Sequence, residues 1–108
     1  MSCIFCRIVG ARHHQHVAIE DLEPAAADAL FRMVQRLAGP VRRALDAAGT
    51  TIGINNGGAT GQTVPHVHVH IVPRWPDDGA GSVHTIFPRH TTRPLPDVAA
   101  AIRRAAAA

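Results

Sequence analysis

Two different periods of apolar residues divide the chain. Over Pro65-His66-Val67-His68-Val69-His70-Ile71-Val72-Pro73-Arg74, histidines alternate with β-branched residues. This period of two predicts a half-buried strand with His66, His68 and His70 on one face, neighbours roughly 7 Å apart, and Val67, Val69 and Ile71 turned into a core. Between Pro24 and Ala48 the spacing is three and four: Leu30, Val34, Leu37, Val41 and Leu45 form one stripe, with Arg32, Gln35, Arg36, Arg42, Arg43 and Asp46 largely off it. That is an amphipathic helix. Asp21-Leu22-Glu23-Pro24 opens it, Gly39-Pro40 predicts a kink or brief break, and Gly49 is the expected C-terminal cap. Thr50–Asn55 reads as a second strand, joined to the histidine strand through the glycine-rich loop 56–63, so the two make an antiparallel hairpin with a wide tip.

The flanks are less regular. Residues 2–10 hold a short apolar segment, and 12–20 read as a loop or one short strand. Trp75-Pro76-Asp77-Asp78-Gly79 is a turn, 80–96 is irregular, and Asp97 is placed to cap a short alanine-rich helix over 98–106. The expected architecture is a single α+β domain over residues 1–108, with two to three antiparallel strands, one long amphipathic helix and a short C-terminal helix.

Composition narrows the partners. Of 108 residues 46% are hydrophobic, but much of that is alanine and only four side chains are aromatic, so the core is small. The formal charge of +3 comes from eleven arginines without a lysine, scattered rather than interleaved with aromatics. This argues against a nucleic-acid surface and leaves room for a phosphorylated small molecule. No apolar run approaches the ~20 residues that span a bilayer, and no signal-peptide pattern opens the chain. The expected setting is cytoplasmic, where Cys3-x-x-Cys6 reads as a metal or redox pair rather than a structural disulfide.

Three imidazoles on one strand face are poor packing, because each brings two nitrogens that need partners. They read instead as a site. His68, flanked on both sides, is the candidate nucleophile. The preceding loop offers something to attack: Gly57, Gly58 and Gly61 let backbone amides approach an anion, Gln62 and Thr63 add side-chain donors, and Asn55 reaches across the hairpin.

The run Asn55-Asn56-Gly57-Gly58-Ala59-Thr60-Gly61-Gln62-Thr63-Val64-Pro65-His66-Val67-His68-Val69-His70-Ile71-Val72-Pro73-Arg74 resembles the signature of the histidine-triad (HIT) family. Cys3-Ile4-Phe5-Cys6-Arg7-Ile8-Val9 resembles the N-terminus of that family's zinc-carrying bacterial members. The resemblance implies a nucleotide hydrolase or nucleotidyl transferase. In such enzymes the middle histidine, here His68, attacks the α-phosphate of a nucleotide ester or phosphoramidate, and water hydrolyses the nucleotidyl-histidine that forms. It places His70, Asn55, Gly61, Gln62 and Thr63 around the phosphate. It also implies a structural zinc on Cys3, Cys6, His66 and one of His13, His14 or His16. His13 fits best if Ala11-Arg12-His13 matches the family's Lys-x-His, and a homodimer is the family's usual assembly.

One difference from the family stands out. Roughly 35–40 residues that its members carry between the Cys-x-x-Cys segment and the helix have no counterpart here, which removes at least two strands and leaves a hairpin that is marginal alone in water. These strands hold the ribose and wall the base pocket. The alternative expectation is therefore a shortened, non-catalytic relative, stabilised by zinc, that binds an anion or a protein partner.

Overall fold

Among the described residues the first element is a single 3-10 turn, Ile19–Asp21, where the Asp21 carboxylate accepts a hydrogen bond from the Ala18 N–H at 3.1 Å. The computed structural model describes residues 18–87 and 91–107. Helix α1 follows, Pro24–Ala44, with Glu23 as N-cap and Pro24 in the first turn, where its missing N–H is no loss. It runs unbroken through Gly39-Pro40, so of the expected kink or brief break the break is not there. The exposed face around Pro40 lets the helix carry a proline at the loss of one backbone bond.

The helix ends earlier than Gly49. Asp46 takes a left-handed conformation (φ 50°), the Ala47 N–H reaches the Arg42 carbonyl at 2.9 Å, and the Asp46 N–H reaches that of Arg43 at 3.3 Å. These are the two bonds of a Schellman ending, made with an aspartate where glycine is usual. Gly49 instead opens strand β1, Gly49–Gly53.

Strand β2, His70–Arg74, pairs antiparallel with β1, from Gly49 opposite Arg74 to Gly53 opposite His70. The hairpin is as expected, but the histidine strand is shorter. Residues 66–69 lie outside the ladder, because β1 stops at Gly53 and gives them nothing to pair with. Among the described residues the sheet has these two strands. Directly opposed residues share a face, so His70, Val72 and Arg74 lie with Thr51, and Ile71 and Pro73 with Thr50 and Ile52.

Helix α1 packs on the hairpin, mainly on β2. The described core is small: Val34 and Ala47 are buried, whereas Val67, Val69 and Ile71 are only half-buried. One helix across two strands cannot cover both faces. Beyond a turn at Val83–Thr85, helix α2 spans Leu95–Ala107. Asp97 sits within its first turn rather than capping it, since the Asp97 and Val98 N–H groups already bond the Pro94 carbonyl.

Candidate active site

The wide tip of the hairpin folds back on itself. Gly57 and Gly61 adopt φ of 106° and 97°, conformations that side-chain-bearing residues rarely take, and they bracket a 3-10 turn over Gly58–Thr60. Gln62 braces this loop from within. Its Oε1 accepts from the Gly57 N–H at 2.8 Å, and its Nε2 donates to the carbonyls of Val64 (3.2 Å) and His66 (3.3 Å). One amide thus ties the start of the loop to the start of the histidine segment.

Asn56 ties the loop from outside. Its Oδ1 accepts from the Ile19 N–H at 2.8 Å and its Nδ2 donates to Glu20 Oε2 at 2.9 Å. Neither bond was foreseen from the sequence, where Asn56 is one polar residue in a polar loop.

The three histidines stack in a row. The ring centroids of His66 and His68 are 4.1 Å apart and those of His68 and His70 are 6.4 Å apart, at interplanar angles of 30° and 27°. The first spacing is tighter than the strand repeat, as befits a segment that no ladder holds to strand rise. His66 Nδ1 lies 3.3 Å from the Val67 carbonyl. The His68 ring is half-buried and its basicity is lowered, first by desolvation and then by the neighbouring charge positions of His66 and His70, against a bond to the His66 carbonyl that acts the other way.

A cleft of about 280 Å³ opens beside this row, lined by Asn55, Gly61, Gln62, Thr63, Val64, His68 and His70. All six residues singled out for nucleophilic attack and phosphate contact therefore share one space. His66 is not among the lining residues. Of the suggested zinc ligands, Cys3, Cys6 and His13, together with His14 and His16, lie outside the described residues. Among the described residues no three His, Cys, Asp or Glu side chains are grouped to hold a metal.

A hairpin with an imidazole row beside a glycine loop, backed by one long helix, defines a small α+β fold with a cleft beside the histidines. The HIT domain family model matches residues 1–77, and the chain belongs to that family. A bis(5'-nucleosyl)-tetraphosphatase of Schizosaccharomyces pombe is 43% identical over 56 residues, covering 52% of this chain and 31% of that protein. A bis(5'-adenosyl)-triphosphatase of Dictyostelium discoideum is 38% identical over 56 residues, covering 52% and 38%. The chain thus spans about a third of the length of these relatives. An uncharacterized HIT-like protein of Saccharolobus solfataricus is 29% identical over 106 aligned positions, which take up 70% of this chain and 76% of that one. Among solved structures, a HIT family protein from Bacillus anthracis superposes with a TM-score of 0.72 at 25% identity, covering 96% of both chains. A zinc-bound histidine triad protein from Mycobacterium smegmatis does so with a TM-score of 0.61 at 27% identity, covering 86% of this chain and 85% of that one.

Proposed function

We propose that this chain is a nucleotide hydrolase or nucleotidyl transferase, in which His68 attacks the α-phosphate of a nucleoside monophosphate ester or phosphoramidate. The observation that carries the reading is the shared cleft, which sets the His68 ring beside Asn55, Gly61, Gln62, Thr63 and His70. Family membership and the names of the two polyphosphate-cleaving relatives support it.

In the reaction, a His68 ring nitrogen forms a bond to phosphorus while the bond to the leaving amine or oxygen breaks. The leaving group departs with that electron pair and takes up a proton. Water then attacks the same phosphorus, the phosphorus–nitrogen bond to His68 breaks, and a nucleoside monophosphate is released with the imidazole regenerated. The loop amides and His70 would face the charge that builds on the non-bridging oxygens. Adenosine 5'-phosphoramidate is the probe. The wild type should release AMP, intact-protein mass spectrometry should find an adenylyl adduct on His68, and His68→Ala should lower kcat by at least about 10³-fold. Equal, background-level turnover by the two proteins would sink the reading.

The same reading extends to a structural zinc on Cys3, Cys6, His13 and His66, with His14 or His16 as alternatives to His13. A Cys₂His₂ set suits tetrahedral zinc, which when bound would tie the N-terminal segment to the histidine row. A proton on His66 Nδ1, directed at the Val67 carbonyl, would place the ring's lone pair on Nε2 as a metal ligand requires. The zinc-bound mycobacterial neighbour supports this. The internal deletion belongs here too. An alignment of 106 positions that takes up only 70% of a 108-residue chain leaves gaps on this chain's side. We read the protein as a single cytoplasmic domain acting on a nucleotide or nucleotide conjugate, not on nucleic acid or a membrane.

A further inference from the structure

We propose that Asn56 is a positioning residue: clamped to Ile19 and Glu20, it holds the glycine loop so that the loop's donors face the cleft, an inference that rests on reading that cleft as the phosphate site. Asn56 itself is absent from the cleft wall, yet it sits between two residues that matter there. Asn55 lines the cleft on one side, and on the other Gly57 donates its N–H to Gln62, itself a lining residue.

The two anchors of the loop differ in kind. Gln62 joins the loop to the histidine segment. Asn56 fixes the loop to something else, the turn over Ile19–Asp21 that leads into α1. Both polar atoms of its amide are used, one as acceptor for a backbone N–H and one as donor to a carboxylate. The geometry therefore specifies an amide and neither a carboxylate nor an apolar side chain. The bond from Asn56 is also the leading reason that the Glu20 carboxyl titrates below its ordinary value. Because the Glu20–Asn56 bond is exposed, it adds little to global stability. Its loss would fall on the aim of the loop, and a misplacement of about 1 Å in such a group can cost on the order of 10²-fold in rate.

A reversed pair tests this. Asn56→Asp keeps an acceptor for the Ile19 N–H but sets a second carboxylate against Glu20. Adding Glu20→Gln restores a donor and an acceptor in exchanged places. With adenosine 5'-phosphoramidate, Asn56→Asp should lower kcat about 10-fold with little change in KM, and the double variant should recover most of that loss. Hydrogen exchange should quicken at the Gly57, Thr60 and Gly61 amides in Asn56→Asp and slow again in the double variant, while the melting temperature barely moves. Unchanged exchange in Asn56→Asp, a kcat equal to that of the wild type, or no recovery on adding Glu20→Gln overturns the inference. If the wild type itself turns nothing over, the proposed reaction fails, and the exchange of the loop amides still decides the role of Asn56.

Discussion

Arg74 serves three partners at once. Its Nε donates to Asp78 Oδ2 at 2.6 Å and its Nη2 to Oδ1 at 3.1 Å, while Nη1 reaches Thr51 Oγ1 (2.8 Å) and the Gly81 carbonyl (2.9 Å). Asp78 also accepts from the N–H groups of Trp75 and Ala80, both at 3.1 Å. The Arg74 fork above all, and these two amides after it, hold the Asp78 carboxyl far below its ordinary 3.8. A carboxyl depressed in this way contributes stability that is fully present above its ordinary value and is lost only as pH falls through the lowered one. Trp75 is the single tryptophan of the chain, so its fluorescence reports the turn. The spectrum should hold constant as pH falls through 3.8, and Asp78→Asn should shift it already at neutral pH. A wild-type transition centred near 3.8 would show that the fork does not protect the carboxylate. From the sequence, Trp75–Gly79 was legible as a turn, because proline, aspartate and glycine have strong local preferences there. The fork was not, since the turn residues alone do not say which of Asp77 and Asp78 meets the Arg74 guanidinium. The cleft residues were legible for the opposite reason. A row of histidines after a glycine loop is costly to explain as packing, whereas Asn56 looks like any polar loop residue until Glu20 and Ile19 are seen beside it.

At the level of elements, periodicity located α1 and the hairpin, but not their ends. The Gly49 cap was inferred from glycine's ease in the left-handed region; Asp46, four-carbon and polar, takes that conformation instead and leaves Gly49 to start β1. The alternation predicts a histidine strand over its full length, yet a strand is bounded by its partner, and β1 ends at Gly53. Pro40 shows a helix continuing through a residue that locally disfavours it. It stands inside α1 on an exposed position, where it removes a backbone bond and crowds the carbonyl one turn back. Pro40→Ala should therefore raise the stability of the fold, by up to about 3 kcal/mol if the strain is fully relieved. Urea unfolding with an unchanged slope is the measurement, and a midpoint no higher than that of the wild type would mean that the helix bears the proline without strain. Gly39 next to it has less to offer, about 1 kcal/mol on change to alanine, although the added Cβ would meet only Arg43 Nη1 at 3.0 Å, the movable tip of a side chain.

Over the whole molecule, several large apolar side chains among the described residues are left uncovered. Phe31 is 45% exposed, Leu45 53% and Val72 45%, and a depression of about 460 Å³ beside Phe31 lies open between Ala27, Asp28, Arg32 and Gln35. Each large side chain kept from burial forfeits about 1.5–3 kcal/mol. Only ~5–15 kcal/mol separates a folded domain from its unfolded chain. A second copy related by a two-fold axis would cover apolar side chains such as Val72 and pair an open sheet edge in the same step, since β1 and β2 each have one neighbour among the described strands. Zinc would add stability by joining ligands that folding brings together, but it supplies no apolar area. The two contributions can therefore be told apart. Light scattering at low micromolar concentration should give a homodimer, and a chelator should lower the melting temperature of that dimer if zinc is held by the cysteines. Val72→Glu, which places a charge on the exposed sheet face, should shift the equilibrium toward monomer and destabilise the chain together. A monomer that is well folded at low micromolar concentration with zinc bound would overturn the homodimer.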